Sequence, residues 1–381
     1  MTSFSSELTL AQALIQTPSY SAQESQAAGL LLEAFEALAF DEAYLDQAGN
    51  AIGVFRRGTG PHIMFNGHLD TVPVGDGQLW PHAPFSGHIA NGELWGRGAV
   101  DMKSAIACMV FAAKDAISQG FSGTLTVSGV VQEETGGLGA RHLGATLNPD
   151  VVILGEPSNL NLMLGHRGRI EIAVTFPGKI AHAAKHELGD NALYYASRFL
   201  EQLRALVLPT GGPLGGSSVT PTNLKSFPEG GHNVVPGSAR LILDYRFIPD
   251  DPPESVLERL KALAPEARFD IITEAWTTEN GQVSATYPHI APAYLAPGEN
   301  RLIQQARPII REALAPYDIP FAERVWWFAT DAPHLAQQGA PVIGFGPGQE
   351  DLAHTTQERV PIEQLAIARA VYRALALGLG R

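Results

Sequence analysis

Two histidines and a set of carboxylates are placed in this chain where they could do chemistry together. They are His68 and Asp70 in Gly67-His68-Leu69-Asp70-Thr71-Val72-Pro73, then Asp101, the pair Glu133-Glu134, Glu156 and, far downstream, His354. Imidazole nitrogen with carboxylate oxygen is the ligand set that suits Zn²⁺ and its divalent neighbours. Five ligands with one shared carboxylate would hold two ions about 3.5–4 Å apart, with a hydroxide between them and a carbonyl polarised beside it. The chemistry to expect is metal-assisted hydrolysis.

The elements that must position these groups are readable from periodicity. Residues 7–17 and 23–37 carry helical patterns, and 51–55 and 62–66 read as strands, the latter ending just before His68. A long helix over 103–118 is opened by the Gly96-Arg97-Gly98 segment, read as a tight turn that carries Asp101 and not as a phosphate loop. Strands over 125–131 and 151–154 deliver Glu133-Glu134 and Glu156 at their carboxyl ends, where open α/β sheets place their chemistry. From about residue 167 the pattern changes. A strand over 170–176, a helix over 191–206 with Asp190 as N-cap, a strand over 239–247, a helix over 254–263 and a strand over 268–273 form a β-α-β-β-α-β-like set. A helix over 300–314, kinked or delayed by Pro308, a strand over 341–344 and a last helix over 361–377 complete the chain. His354 precedes that last helix, so the C-terminal part must fold back beside the N-terminal one.

Composition sets bounds. The chain has 381 residues, enough for two or three domains, with 45% hydrophobic and 17% charged residues, as in a soluble globular protein. A net charge of −13 leaves no basic stripe for nucleic acid. No apolar run approaches the ~20 residues of a membrane span, and Met1–Glu7 lacks a basic leader, so a cytoplasmic protein is expected. The one cysteine, Cys108, lies in an apolar stretch and reads as a small buried residue. Trp326, Trp327 and Phe328 read either as core or as the mouth of a site through Thr330-Asp331.

Taken in order, several motifs resemble one family. They are Gly67-His68-Leu69-Asp70-Thr71-Val72-Pro73, Gly96-Arg97-Gly98-Ala99-Val100-Asp101-Met102-Lys103, Gln132-Glu133-Glu134, Gly155-Glu156-Pro157, Asn233-Val234-Val235-Pro236, and Gly346-Pro347-Gly348 ahead of His354. The family is that of acetylornithine deacetylase, succinyl-diaminopimelate desuccinylase, aminoacylase and carboxypeptidase G, dinuclear zinc hydrolases, and the resemblance spans essentially the whole chain. It implies an α/β fold. A catalytic domain with a mixed sheet flanked by helices, zinc-exopeptidase-like, would comprise residues 1–166 and 276–381. Residues 167–275 would form an inserted α+β, ferredoxin-like dimerisation and lid domain.

The resemblance also implies roles. His68 and His354 would be terminal ligands on different metals, Asp101 would bridge them, and Glu134 and Glu156 would complete the two spheres. Glu133 would be the general base, and Asp70 would orient the His68 imidazole. A cis peptide bond would follow Asp101. His182 would reach across a homodimer to the neighbouring site as an oxyanion donor, although His186 stands where the family often has proline. Asn233 and Arg246 would hold substrate. Two divalent ions per chain are implied, Zn²⁺ first, with Co²⁺ or Mn²⁺ as substitutes. The expected activity is hydrolysis of the amide of an N-acyl amino acid by a metal-bridged hydroxide. A metallo-dipeptidase or carboxypeptidase is the alternative reading, and a catalytically silent binding relative a further one.

Overall fold

Alternation along the central strands decides the architecture of the larger unit. In the computed structural model, which describes residues 4–380, Ile63 and Phe65 face one core with Leu125, Val127, Val151, Ile153 and Ile343. Met64, Val130, Val152, Leu154 and Val342 face another on the opposite side. A strand buried on both faces needs helices on both, and they are present. Glu7–Gln16, Ser25–Ala37, Lys103–Ser118, Arg301–Leu314 and Ile362–Leu379 supply residues to the first core. Leu138–Thr146 and Ala332–Leu335 supply the second. The residues Met1-Thr2-Ser3 of the N-terminal segment read above lie outside the described residues.

The sheet between these layers has nine strands and is mixed. Its middle is parallel: Gly123–Val130, His62–His68, Val151–Leu154 and Val342–Gly344 run side by side in one direction. Ala51–Arg57 pairs antiparallel with Gly123–Val130 and carries Glu42–Leu45 at the edge. On the other side Leu162–His166 pairs with Val342–Gly344 and in turn carries Tyr294–Leu295 and Glu323–Trp326. The parallel strands end together, so the loops after residues 68, 130 and 154 open onto one rim. No helix among the described residues is long and apolar enough to cross a membrane.

The smaller unit has a βαββαβ order, completed by the strand Ser218–Phe227, which the sequence did not mark. Gly168–Pro177, Ser218–Phe227, Ser238–Phe247 and Arg268–Ile271 form an antiparallel sheet in which Gly168–Pro177 and Ser238–Phe247 are central. Helices Ala192–Ala205 and Pro253–Leu263 share its core with Ile170, Ile172, Val174 and Phe176. Ile290–Ala291 also pairs with Gly168–Pro177, after a hairpin formed by Thr273–Thr277 and Ser284–Pro288. We therefore propose that the inserted unit includes this hairpin and ends near residue 291.

Two local expectations change and one open alternative is decided. The N-cap of helix Ala192–Ala205 is Asn191, whose side chain accepts from the Leu193 N–H, while Asp190 bonds the Tyr195 hydroxyl. Pro308 does not delay its helix, which starts at Arg301 and runs to Leu314 with the proline inside it. The proline and Gln304, whose carbonyl loses its donor, are both exposed, so water can replace the missing bond. Trp326 is core, its indole N–H on the Pro157 carbonyl at 2.8 Å, whereas Trp327 is exposed.

Candidate metal centre and active-site cleft

Every member of the acid–imidazole set except His354 hangs from a strand end or a turn held by buried bonds. His68 is the last residue of its strand and is buried. One ring nitrogen donates to the Asp70 carbonyl at 2.9 Å, which turns Nε2 toward Asp101. Asp101 follows the Gly96–Gly98 turn, where Gly98 has φ +86° and a Cβ would meet the Lys103 side chain at 2.9 Å. The turn is clasped by Glu358, fully buried, whose carboxylate accepts from the N–H groups of Gly98, Val100 and Asp101 and pairs with Arg97. The peptide bond between Asp101 and Met102 is cis.

Glu133 and Glu134 are aimed by a kinked strand end. Gln132 has φ 58°, a left-handed conformation that costs a non-glycine residue about 1–2 kcal/mol. Glu24, buried beside it, accepts the Gln132 N–H at 3.1 Å and holds the bend. The Asp70 carboxylate takes the next two N–H groups, Glu133 at 3.0 Å and Glu134 at 3.1 Å. Asp70 thus positions both acids through their backbone as well as touching His68. Glu156 extends from the end of Val151–Leu154, against which Gly346 packs so closely that a Cβ would meet the Glu156 carbonyl at 2.4 Å.

The side chains converge on Asp101. His68 Nε2 lies 2.9 Å from Asp101 Oδ1, and His354 Nε2 lies 3.1 Å from Oδ2. Glu156 stands 3.8 Å from the His68 nitrogen and Glu134 3.0 Å from the His354 nitrogen. Ligand atoms of His68, Glu133 and Glu156 also fall within 4.8 Å of one another. One carboxylate therefore sits between two imidazoles, each with a further acid beside it.

The electrostatics calls for cations. Burial, then the neighbouring carboxylates, raises Glu134 and holds Glu133 and Glu156 well above the ordinary carboxyl range, although His68 pulls all three down. His354 is raised to about 10 by its bonds to Asp101 and Glu134. His68 is raised as well, since its carboxylate partners outweigh the burial that opposes them. The pocket concentrates more negative charge than two imidazoles neutralise, and its donors are the N and O atoms that divalent ions of the zinc type accept. The residues present fit a two-ion centre.

The cleft beyond this cluster, of about 840 Å³, is lined from both units. The larger unit contributes Glu133, Glu134, Gly136, Arg141, Thr330, Asp331 and His354, and the smaller one Arg169, Glu171 and Arg246. Arg246 lines the cleft, with its Nε and Nη2 both on Asp244, at 2.6 and 3.2 Å. His182 and Asn233 do not line it. His182 is exposed on a two-residue strand paired with Val234–Val235, its Nδ1 accepting from Ala184 N–H at 3.1 Å.

Sequence reasoning passed over several groups here. Glu358 and Glu24 act beneath the cluster and Arg141 lines the cleft, as does Asp331, which the sequence had already placed at a possible mouth of the site; burial, the largest cause, raises Glu24, Asp331 and Glu358 each to about 7. Glu358 falls four residues after His354, the one signal that could have marked it.

Fold and cleft together define a metal-dependent hydrolase of amide bonds. Residues 64–378 match the family described as Peptidase family M20/M25/M40, and the chain belongs to that family. Among its relatives, YgeY of Escherichia coli (strain K12) is 27% identical over 378 residues, covering 96% of this chain and 92% of that protein. A succinyl-diaminopimelate desuccinylase of Acidiphilium cryptum (strain JF-5) is 35% identical over 303 residues, 74% of this chain and 81% of that one. The crystal structure of the aminopeptidase PepT from Bacillus cereus shares the fold, with a TM-score of 0.77 at 18% identity over 98% of both chains.

Proposed function

We propose that this chain is a dinuclear, zinc-dependent amidohydrolase that cleaves the amide of an N-acyl amino acid, as a desuccinylase or deacetylase does. The observation that carries the reading is the Asp101 carboxylate, with one oxygen on His68 and the other on His354. His68, Asp101 and Glu156 would hold one ion and His354, Asp101 and Glu134 the other, with Co²⁺ or Mn²⁺ as possible substitutes for Zn²⁺. When bound, such a pair polarises a carbonyl and lowers the pKa of water toward ~7. Glu133 would take the proton of the attacking water and pass it to the leaving amine nitrogen, a role that its raised proton affinity suits. Arg246, beside Asp244, would help to form the wall against which the substrate lies.

The desuccinylase relative supports an N-acyl amino acid over a peptide. A panel of N-acetyl and N-succinyl amino acids and dipeptides, offered to the zinc- or cobalt-loaded protein, tests this. N-acyl amino acids should lead by at least about tenfold in kcat/KM, or roughly 1.4 kcal/mol of transition-state binding. The reverse ranking would make it a dipeptidase or carboxypeptidase, and no turnover with both metals bound would sink the proposal.

We also propose a homodimer in which His182 serves the neighbouring chain's site, because it is exposed and away from its own cleft. Mixing inactive Glu133→Gln with inactive His182→Ala chains should then restore activity, since a heterodimer holds one site with both residues intact. Mass-tagged chains would establish that subunits exchange. Exchange without recovered activity would show that His182 does not act across chains.

A further inference from the structure

Three arginines line the cleft, and two of them are already engaged. Arg169 Nε lies 2.6 Å from Asp244 Oδ2, and Arg246 grips both oxygens of the same carboxylate. Asp244 already answers both charges, and Glu171 lies 3.9 Å from Arg169 Nη2, so neither guanidinium is an unanswered charge for a second carboxylate. Arg141 differs. Its Nε donates to the Gly136 carbonyl at 3.0 Å, and its guanidinium lies over the Tyr287 ring, 4.3 Å from the centroid. Neither Nη group is hydrogen-bonded or ion-paired to a described residue, and the side chain lines the cleft.

The side chain is also held in advance. Tyr287 comes from the hairpin Thr273–Thr277 and Ser284–Pro288, whose Trp276 packs over Gly136, where a Cβ would come within 3.1 Å of the indole. Arginine loses much rotamer freedom when it is fixed, and here the hairpin and the Gly136 carbonyl have fixed it before any ligand arrives. Arg141 belongs to helix Leu138–Thr146, which follows the Glu133–Thr135 turn after two glycines. The guanidinium and the proposed base therefore ride on one short stretch of chain.

We propose that Arg141 binds a carboxylate of the substrate and makes the enzyme select amides that carry one beyond the scissile bond. This rests on the amidohydrolase reading above. The carboxylate could be the far end of a dicarboxylic acyl group or the α-carboxylate of the amino acid. Two ratios separate these sources: kcat/KM for N-succinyl over N-acetyl forms of one amino acid, and kcat/KM for an N-acyl amino acid over its carboxamide. In Arg141→Gln one ratio should fall by about 10–100-fold, as expected when a charge-assisted pair is lost. Arg141→Lys, which keeps the charge but not the fork, should recover only part of it. Each ratio is taken within one variant, so a general loss of folded protein does not move it.

Both ratios unchanged in Arg141→Gln would overturn the inference. If the wild-type protein turned over no member of the panel, the amidohydrolase reading would fail, and Arg141 would be judged by binding alone. Calorimetry with succinate and with acetate on the metal-loaded protein supplies that measurement. Succinate binding should weaken about tenfold in Arg141→Gln while acetate binding does not. Equal succinate affinities in the two proteins would overturn the inference independently.

Discussion

Glu133→Gln should yield a folded protein with both metals bound and a kcat lower by at least about 10²–10⁴-fold. The substitution keeps size and shape but removes the group that can accept and return a proton. The backbone N–H that places Glu133 on Asp70, 3.0 Å away, is untouched, so the turn that also presents Glu134 should survive. Stability should hold or rise, because burial already disfavours the Glu133 carboxylate and the amide has no charge to bury. Glu134→Ala is the contrasting variant. It removes a neighbour of the His354 imidazole, and its first effect should be weaker metal retention. Near-normal turnover in Glu133→Gln on a good substrate, with two metals measured, would remove Glu133 from the mechanism.

The loci of this cluster were legible because apolar runs point to their own ends. Val151–Leu154 is buried at every position, and such a run followed by Gly-Glu-Pro can only deliver its acid at a sheet rim. The central strand of the smaller unit was legible for the same reason, since Ile170, Ile172, Val174 and Phe176 alternate strictly, whereas the mostly exposed strand Ser218–Phe227 was not located. Helix Leu138–Thr146 was not, because two glycines in nine residues dilute its apolar spacing, and Arg141 was lost with it. Glu358 lies beside Arg359, and nothing in that charged dipeptide marks the acid as buried. In the fold it turns inward to three backbone N–H groups while Arg359 reaches Glu93 instead. The hairpin that carries Trp276 and Tyr287 has polar, mostly exposed strands, so no core-facing pattern announces it. In each case what decided the role was a neighbour distant in sequence, and periodicity carries no record of such neighbours.

Removing the metals should destabilise the protein, and increasingly so as pH rises. Loading at 100 times the dissociation constant stabilises by about 2.7 kcal/mol per site, on the order of 5–10 °C in Tm for a domain of this size. The sign of the pH dependence follows from the acids around the cluster. Burial first raises Glu24 and Glu358 from 4.5, and Asp331 from 3.8, to about 7 in the fold. A carboxyl whose folded pKa exceeds its unfolded one binds its proton more tightly in the fold. Its contribution is complete below about pH 4 and is lost as pH climbs through 7. The metal-free protein should therefore weaken from pH 5 to 8. Metal binding runs the other way, because its ligands must shed protons, so affinity grows over the same interval. The Tm gap between zinc-loaded and chelator-treated protein should widen steadily from pH 5 to 8. Metal content should follow the geometry: Asp101 touches both imidazoles, so Asp101→Ala should lose both ions, and His354→Ala only the one on its side. A gap that narrows with pH, or an Asp101→Ala protein that keeps two equivalents after desalting, would show that this carboxylate does not join two metals.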